Sequence, residues 1–204
     1  MALTTYSELQ TAIGNWIARD DLSSVIPDFI TIAELNLSRM LRLFWLEKRA
    51  YSVPDGSFVA LPSDYAGMRN IEWQSGDLRY SLDQITPRDM DMRYPDAQTG
   101  IPECYSIHDG QIELRPAPAS DNEAKIEITY YYKPAVLSDS NTSNEFLVNC
   151  PDALLYLSLR EAADYISNTE GVARWDAKAK EAISTLIGEE EQYTWPGELV
   201  MRPV

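Results

Sequence analysis

Residues 24–53 read SVIPDFITIAELNLSRMLRLFWLEKRAYSV, and within them the pattern of apolar residues changes from a helical to a strand period. In the first part, apolar side chains recur every three or four residues, which predicts a helix with one buried face. This stripe comprises Ile26, Phe29, Ile30, Ala33, Leu37, Met40 and Leu41. We expect Ser24 to cap the helix and Pro27 to lie in its first turn. From about Trp45 the residues alternate towards Val53, which predicts a strand.

Further helices are predicted towards both ends of the chain. Thr5 and Glu8 match a capping box, which opens a helix that runs to about Ala18. The apolar side of this helix comprises Leu9, Ile13, Trp16 and Ile17. Near the other end, residues 151–166 are apolar on most sides and predict a buried helix. A last striped helix is predicted over Thr169–Gln192, with Thr169 as its cap.

The middle of the chain has the texture of short strands separated by tight turns. Each turn sequence predicts a β-hairpin between the strands that flank it. The turns are Pro54–Gly56, Ser75–Asp77 and His108–Gly110. A further strand is predicted over Lys125–Tyr132, where apolar and polar residues alternate, and a turn-rich connector over residues 133–144.

This order of elements predicts an α+β fold. We expect residues 1–44 and 145–195 to pack together as a helical bundle. Residues 45–133 form a central antiparallel β-module, with a short helix near 87–93 that begins with proline after a threonine cap. Residues 196–204 are expected to form an extended C-terminal tail, because prolines bound that segment.

The charge of the chain excludes one broad class of function. The 204 residues include 17 basic and 32 acidic ones, a formal net charge of −15. Such a surface repels phosphate, so a general DNA- or RNA-binding protein is not expected. No stretch approaches the roughly 18 apolar residues that predict a membrane span, and the N-terminal residues do not resemble a signal peptide. We therefore expect no membrane partner.

No arrangement of residues in the sequence predicts a catalytic or metal site. The single histidine, His108, is expected to be a polar turn residue, since a zinc site needs further ligands. Cys104 and Cys150 have no metal-ligand spacing and are expected to be free thiols. Tyr130–Tyr132 could form a stacking platform for bases, but acidic surroundings favour packing or an interface. Pairs of carboxylates are expected on solvated faces. No cofactor is predicted.

Six segments carry a resemblance to a known family. They are PDFIxxAExxLxRxLR at 27–42, VALPSDY at 59–65, IPxxY at 101–105, LRPAP at 114–118, YYYKxxxLSD at 130–139 and PDxLLY at 151–156. In this order and spacing, the chain resembles the head-to-tail adaptor (connector) proteins of tailed bacteriophages, a group similar to tail tubular protein A. The resemblance covers nearly the whole chain.

The resemblance implies a structural function without catalysis. Twelve copies would form a ring under the portal protein, close the filled head, and present a surface to a tail nozzle or tail tube protein. DNA would pass through the ring without specific binding, and acidic walls suit such a channel because they repel the duplex. The implied location is the head–tail junction of the virion, after synthesis in the cytoplasm of the bacterial host.

Two sets of residues are candidates for contacts in such an assembly. The striped helices give the candidate faces between subunits, namely Phe29, Ile30, Leu37, Trp175 and Leu186. The C-terminal tail is apolar, and by resemblance it docks on the portal. Its candidate docking residues are Pro196, Gly197, Leu199, Val200, Met201, Pro203 and Val204.

Two other classes of function stay open from the sequence. An acidic, carboxylate-dependent hydrolase, for example a glycosidase-like virion enzyme, would need a pocket that holds a carboxyl group with a raised pKa. A monomeric protein-binding module would need no surface for other copies of the chain.

Overall fold

The computed structural model describes residues 3–19, 21–96, 98–119 and 124–194, with side chains described up to residue 190. The chain divides into two compact units. We call Met1–Leu46 with Pro134–Val204 the helical unit, and Glu47–Lys133 the β-unit. Along the sequence, helices precede and follow the strands of the β-unit, which confirms the predicted α+β class.

Helix α5 lies at the centre of the helical unit. The helices are α1 (Tyr6–Ile17), α2 (Ile26–Met40), α3 (Pro87–Arg93), α4 (Glu145–Asn149), α5 (Pro151–Tyr165) and α6 (Thr169–Thr194), and Phe44–Leu46 forms a 3₁₀ turn. All except α3 belong to the helical unit, where α5 contacts α1, α2, α4 and α6. Its residues are buried on most sides, as its apolar sequence predicted. In the described part of the chain, no helix is both long and apolar enough to cross a membrane.

The start of α1 is set by a local signal that the sequence shows directly. The Glu8 N–H donates to Thr5 Oγ1 at 3.3 Å, and the Thr5 N–H donates to Glu8 Oε2 at 3.0 Å. These two bonds confirm the predicted capping box, which satisfies two backbone donors at once. The helix ends at Ala18, which adopts a left-handed conformation with φ 53°.

Two other predicted caps are wrong. Helix α2 is preceded by Val25, and no side chain caps it, so Ser24 does not have the predicted role. Helix α6 begins at Thr169, but its cap is Asn168, whose Oδ1 accepts the Gly171 N–H at 3.0 Å. Asparagine and threonine both favour the cap position, so adjacent candidates cannot be separated from sequence alone.

The β-unit contains two four-stranded sheets. The strands are β1 (Glu47–Ser52), β2 (Phe58–Ala60), β3 (Tyr65–Ser75), β4 (Leu78–Ser81), β5 (Asp83–Gln84), β6 (Cys104–His108), β7 (Gln111–Arg115) and β8 (Ala124–Tyr132). One sheet has the order β1-β8-β3-β4, and the other has the order β2-β7-β6-β5. Their buried side chains form one apolar core that includes Trp73, Ile126 and Leu114.

Two of the three predicted hairpins are confirmed. Strands β3 and β4 pair antiparallel across Gly76, and β6 and β7 pair antiparallel across Asp109 and Gly110. All three turn residues have positive φ, at 56°, 50° and 69° in chain order. Two consecutive positive φ values at Asp109 and Gly110 match the tight hairpin turn that an Asp-Gly sequence favours.

The hairpin predicted around Pro54–Gly56 is wrong. Strand β1 pairs with β8, so that Glu47 lies opposite Tyr131, while β2 pairs with β7 in the other sheet. A turn sequence shows only that the chain changes direction. Here it carries the chain from one sheet to the other.

The prediction that the module is wholly antiparallel also needs correction. The short strand β5 pairs parallel with β6, through Asp83 opposite Cys104 and Gln84 opposite Tyr105. Helix α3 lies between β5 and β6 in the sequence and contacts β6. A parallel pair needs a crossover of this kind, whereas a hairpin turn can only return the chain antiparallel.

Candidate interaction surfaces

The described residues do not form a metal cluster. No group of three His, Cys, Asp or Glu side chains within them is placed to hold an ion. His108 ends β6, with Nδ1 3.4 Å from Ser106 Oγ and Nε2 3.7 Å from Glu113 Oε2. Cys104 and Cys150 are buried free thiols, as expected. Burial raises the pKa of both thiols, that of Cys150 to about 12.

Asp64 is the centre of a polar cluster in the β-unit. Its Oδ1 accepts a 2.9 Å hydrogen bond from the Tyr130 hydroxyl, and its Oδ2 accepts one of 3.0 Å from Lys48 Nζ. Its backbone carbonyl accepts the Lys133 N–H at 2.8 Å. The Lys48 ammonium also lies 3.7 Å from the centre of the Tyr132 ring. One residue therefore fixes the start of β1 and the end of β8.

The protonation states of this cluster follow from its contacts. Burial alone raises the pKa of Asp64, but hydrogen bonds from Lys48 and Tyr130 outweigh it and hold that pKa below its ordinary value. Burial and the neighbouring carboxylate raise the pKa of Tyr130 to about 12. The cluster is thus a carboxylate with two donors, an arrangement that gives rigidity and leaves no free acid or base.

Glu34 is the centre of a second polar cluster, in the helical unit. Its side chain is only 4% exposed. The Leu137 N–H donates to its two carboxyl oxygens at 3.2 and 3.3 Å, and Asn144 Nδ2 donates to Oε1 at 2.5 Å. Asn144 also donates to the Ala135 carbonyl at 3.0 Å and caps α4 by accepting the Leu147 N–H at 3.1 Å. Glu34 therefore ties the segment before α4 to helix α2.

This buried carboxyl group bears on the hydrolase alternative. Burial raises the pKa of Glu34, whereas the shifted aspartates and glutamates elsewhere in the described chain have lowered values. A catalytic acid needs such a pKa together with access to substrate. Glu34 is enclosed, and Leu137 and Asn144 occupy its oxygens. The observed geometry is that of a structural carboxylate.

The outer face of the first sheet carries another buried carboxylate. Glu127 on β8 is almost covered, because its oxygens lie 3.6 Å from Arg49 and 3.6 Å from Arg79, and Gln74 Nε2 donates to it at 2.5 Å. Along β8 the alternate side chains point into the core, including those of Tyr130 and Tyr132. The tyrosine run is thus largely packed, as expected, and does not form an open stacking platform.

The residues predicted to form faces between subunits are mostly covered by the helical unit itself. Phe29, Ile30 and Leu37 lie in its core, and Trp175 is 8% exposed. Leu186 is half-buried. A buried side chain has little surface to offer a neighbouring subunit, so contacts between subunits through these residues stay a prediction. The predicted docking tail, Pro196–Val204, lies outside the described residues.

Helix α2 exposes other apolar residues that the sequence pattern did not single out. Ile32 and Leu35 are 42% and 44% exposed, and Phe44 just after the helix is 48% exposed. They lie outside the apolar stripe that predicted the buried face of α2. Met40 was predicted on that stripe but is 51% exposed in the last position of the helix, so its predicted burial is wrong. Ile32 and Leu35 could have been identified from the sequence, because they are apolar residues on the otherwise polar side of a striped helix.

A family model described as SU10 adaptor protein matches residues 4–202, which is nearly the whole chain. The comparison with curated proteins finds no match.

Proposed function

The chain belongs to the SU10 adaptor protein family, and from this membership we propose that it joins the portal of the DNA-filled head to the phage tail. The family indicates a structural bacteriophage protein that acts between head and tail components. The portal as the specific partner on the head side is our proposal. A tail nozzle or tail tube protein is the proposed partner on the tail side.

The match over residues 4–202 is the observation that carries this proposal, because it spans both units. In the structure, several of the segments that resemble the adaptors are joined by hydrogen bonds. Asp64 from the second segment accepts hydrogen bonds from Tyr130 and Lys133 of the fifth. Glu34 from the first segment accepts one from Leu137 of the fifth. Segments far apart in sequence thus depend on one another for their hydrogen bonds.

The proposed assembly is a ring of twelve copies, an arrangement similar to that of tail tubular protein A. Residues 196–204 dock on the portal, since an apolar segment bounded by prolines suits an extended strand in a groove. Exposed apolar side chains such as Ile32 and Leu35 are surfaces that neighbouring subunits or tail proteins cover.

The proposed ring also forms part of the DNA exit channel. The net charge of −15 supports a channel that the duplex passes without sticking, because like charges repel at its wall. No base-specific contact is needed for this function.

Cryo-electron microscopy of the head–tail junction tests the proposal. The expected result is density for twelve copies that contact the portal on one side and a tail protein on the other. A location elsewhere in the particle, or its absence from the particle, would contradict the adaptor assignment. A symmetry other than twelve would contradict only the proposed copy number.

A further inference from the structure

The helical unit carries a partly exposed cluster of three aromatic rings. Tyr156 on α5 stacks on Trp175 of α6, with ring centres 6.1 Å apart and planes at 13°. Trp16 on α1 contacts both, at 5.5 Å from Trp175 and 6.3 Å from Tyr156. Trp175 is buried, but Trp16 is 50% exposed and borders a surface pocket of about 300 Å³. Half of a tryptophan side chain is therefore open to a partner.

Two cations lie beside these rings. The Arg174 guanidinium is 4.1 Å from the centre of the Trp175 ring, and Lys178 Nζ is 5.4 Å from that of Tyr156. Both side chains are exposed, and no described carboxylate forms an ion pair with either. By contrast, Lys180 and Arg160 nearby are both paired with Asp176. We name Trp16, Arg174 and Lys178 the aromatic–cationic patch.

The composition of this patch is that of a binding surface. Tryptophan, tyrosine and arginine are the residues most enriched at the energetic centres of protein interfaces. In a chain with a net charge of −15, two unpaired cations on neighbouring turns favour an acidic partner. The exposed face of Trp16 additionally favours an apolar side chain next to the acidic group.

The same helix presents an apolar side chain beside two carboxylates near its other end. Leu186 is half-buried, Glu189 is exposed one turn further on, and Glu190 on the same side of the helix accepts the Phe44 N–H at 3.1 Å. We name Leu186, Glu189 and Glu190 the acidic patch. At 1.5 Å per residue, Lys178 and Glu189 are about 16 Å apart along the axis of α6, so the two cannot pair within one chain. Only a second copy can bring them together.

We infer that the aromatic–cationic patch of one subunit binds the acidic patch of a neighbouring subunit. The contact joins two different surfaces of the same chain, so each subunit keeps one of each for the next copy. Repetition of such a contact closes a ring when the rotation between copies permits. This inference rests on the proposed function and names the surfaces through which the adaptor ring is joined.

A zero-length carbodiimide cross-linker tests the contact directly, because it joins an amine to a carboxylate only when the two are in ion-pair contact. The wild-type chain, mixed with ¹⁵N-labelled chain, is cross-linked alone and in complex with portal protein. Mass spectrometry is expected to find a peptide pair that joins Lys178 to Glu189 or Glu190 and carries both isotopes. Lys178→Arg is the matched control, because it keeps the charge and the assembly but loses the link.

A charge exchange tests whether the contact supports assembly. We expect Lys178→Glu to weaken association between subunits by roughly tenfold or more, since it places like charges together. Adding Glu189→Lys to the same chain should restore association, because the pair is then reversed. Both positions are exposed, so circular dichroism and the melting temperature of each variant should match those of the wild type.

The outcomes separate this inference from the proposed function. Portal complexes that form without the Lys178 link, or that Lys178→Glu does not weaken, overturn the contact and leave the adaptor assignment intact. If Lys178→Glu weakens assembly and Glu189→Lys does not restore it, the patch binds a different protein, which also overturns the inference. A chain that associates with neither the portal nor itself overturns both.

Discussion

The hydroxyl of Tyr130 donates a 2.9 Å hydrogen bond to the carboxylate of Asp64, and so joins strand β8 to the turn that precedes β3. The rings of Tyr130 and Tyr65 also stack, with their centres 6.0 Å apart. Tyr130 and Asp64 are 66 positions apart in sequence. The bond therefore depends on the finished fold and reports on its integrity.

We expect Tyr130→Phe to lower the free energy of unfolding by about 1–3 kcal/mol, because it removes a hydrogen bond to a charged group. Urea denaturation at pH 7 measures the loss. Tyr51→Phe is the matched control, since Tyr51 is 58% exposed and should show almost no change. Equal losses for the two variants would contradict the role of the Asp64 bond.

The same cluster gives a pH dependence with a defined sign. The contacts of Asp64 hold its pKa in the folded protein below its ordinary value. The ionised carboxylate therefore contributes fully to stability when the pH is above the ordinary pKa. This contribution is lost as the pH falls through the lowered pKa of the folded state. The destabilisation by Tyr130→Phe should therefore be smaller at pH 3 than at pH 7. The two conditions lie on either side of the pI near 4.4, which keeps the protein soluble. An effect that grows at pH 3 would refute this assignment.

Glu34 should show the opposite pH dependence. Burial raises its pKa above the ordinary value of 4.5, so the folded state binds that proton more tightly than the unfolded state does. This contribution to stability is present below pH 4.5 and is lost as pH rises through the raised pKa. Glu34→Gln removes the ionisation, so its stability relative to wild type should increase as pH rises through that window. Parallel denaturation curves of both proteins from pH 3 to pH 8 measure the difference.

Glu34→Ala should be much more harmful than Glu34→Gln. Alanine leaves the Leu137 N–H and the Asn144 amide without their buried acceptor, at a cost of about 2–4 kcal/mol. Glutamine keeps one acceptor oxygen in the same place. If the two variants lose equal stability at pH 7, the hydrogen bonds to Glu34 do not hold the segment before α4.

Both thiols should be unreactive in the folded protein. Cys104 and Cys150 are fully buried, and burial raises their pKa values, so few thiolates are present and reagents have no access. With an aromatic disulfide reagent at pH 8, we expect no rapid reaction of the native protein and two equivalents after denaturation. Fewer than two equivalents after denaturation without reductant would indicate a disulfide.

Deletion of residues 196–204 should separate docking from folding. The described core of the helical unit ends before this segment, so helical content and melting temperature should stay nearly unchanged. Co-assembly with the portal should be abolished. Portal binding with unaltered affinity, or unfolding of the shortened chain, would show that the tail is not the docking element.

Duplex DNA should not bind at physiological salt. The net charge of −15 repels the phosphate backbone, which opposes binding. A fluorescence-anisotropy titration at 150 mM salt should show no saturation. A micromolar dissociation constant there would contradict the interpretation of the acidic channel.

The parts of the fold that the sequence predicts correctly are those set by neighbouring residues. The Thr5 cap and the Asp109–Gly110 turn each need only contacts within four positions, and both form as predicted. Pairing between strands is decided by distant partners instead. Strand β1 pairs with residues 126–131, and no local signal near Pro54 distinguishes that partner from the adjacent β2. The hairpin prediction at Pro54–Gly56 was wrong because a local turn sequence does not identify the distant strand with which β1 pairs.

The sequence analysis also missed the polar clusters around Asp64 and Glu34, because the partners in each cluster are distant in sequence. The sequence nevertheless contains one signal of the Glu34 cluster. Glu34 lies between Ile30 and Leu37 on the buried stripe of α2, so a charged residue there predicts a buried partner. The partner itself, Asn144, is 110 positions away and has no signature. For Trp16 the sequence predicted burial where the structure shows exposure. The helical period places Trp16 on the apolar side of α1, but half of the residue is exposed.

The helical unit is discontinuous in the chain, and this has a consequence for synthesis on the ribosome. Helices α1 and α2 emerge first, but α5, which packs against both, follows only after the whole β-unit has been translated. The β-unit is one continuous segment, and its last strand β8 completes its first sheet. It can therefore fold while α1 and α2 still expose their apolar faces, which makes the nascent chain aggregation-prone at that stage. We therefore expect α1 and α2 to depend most on protection from aggregation while residues 47–150 are being made.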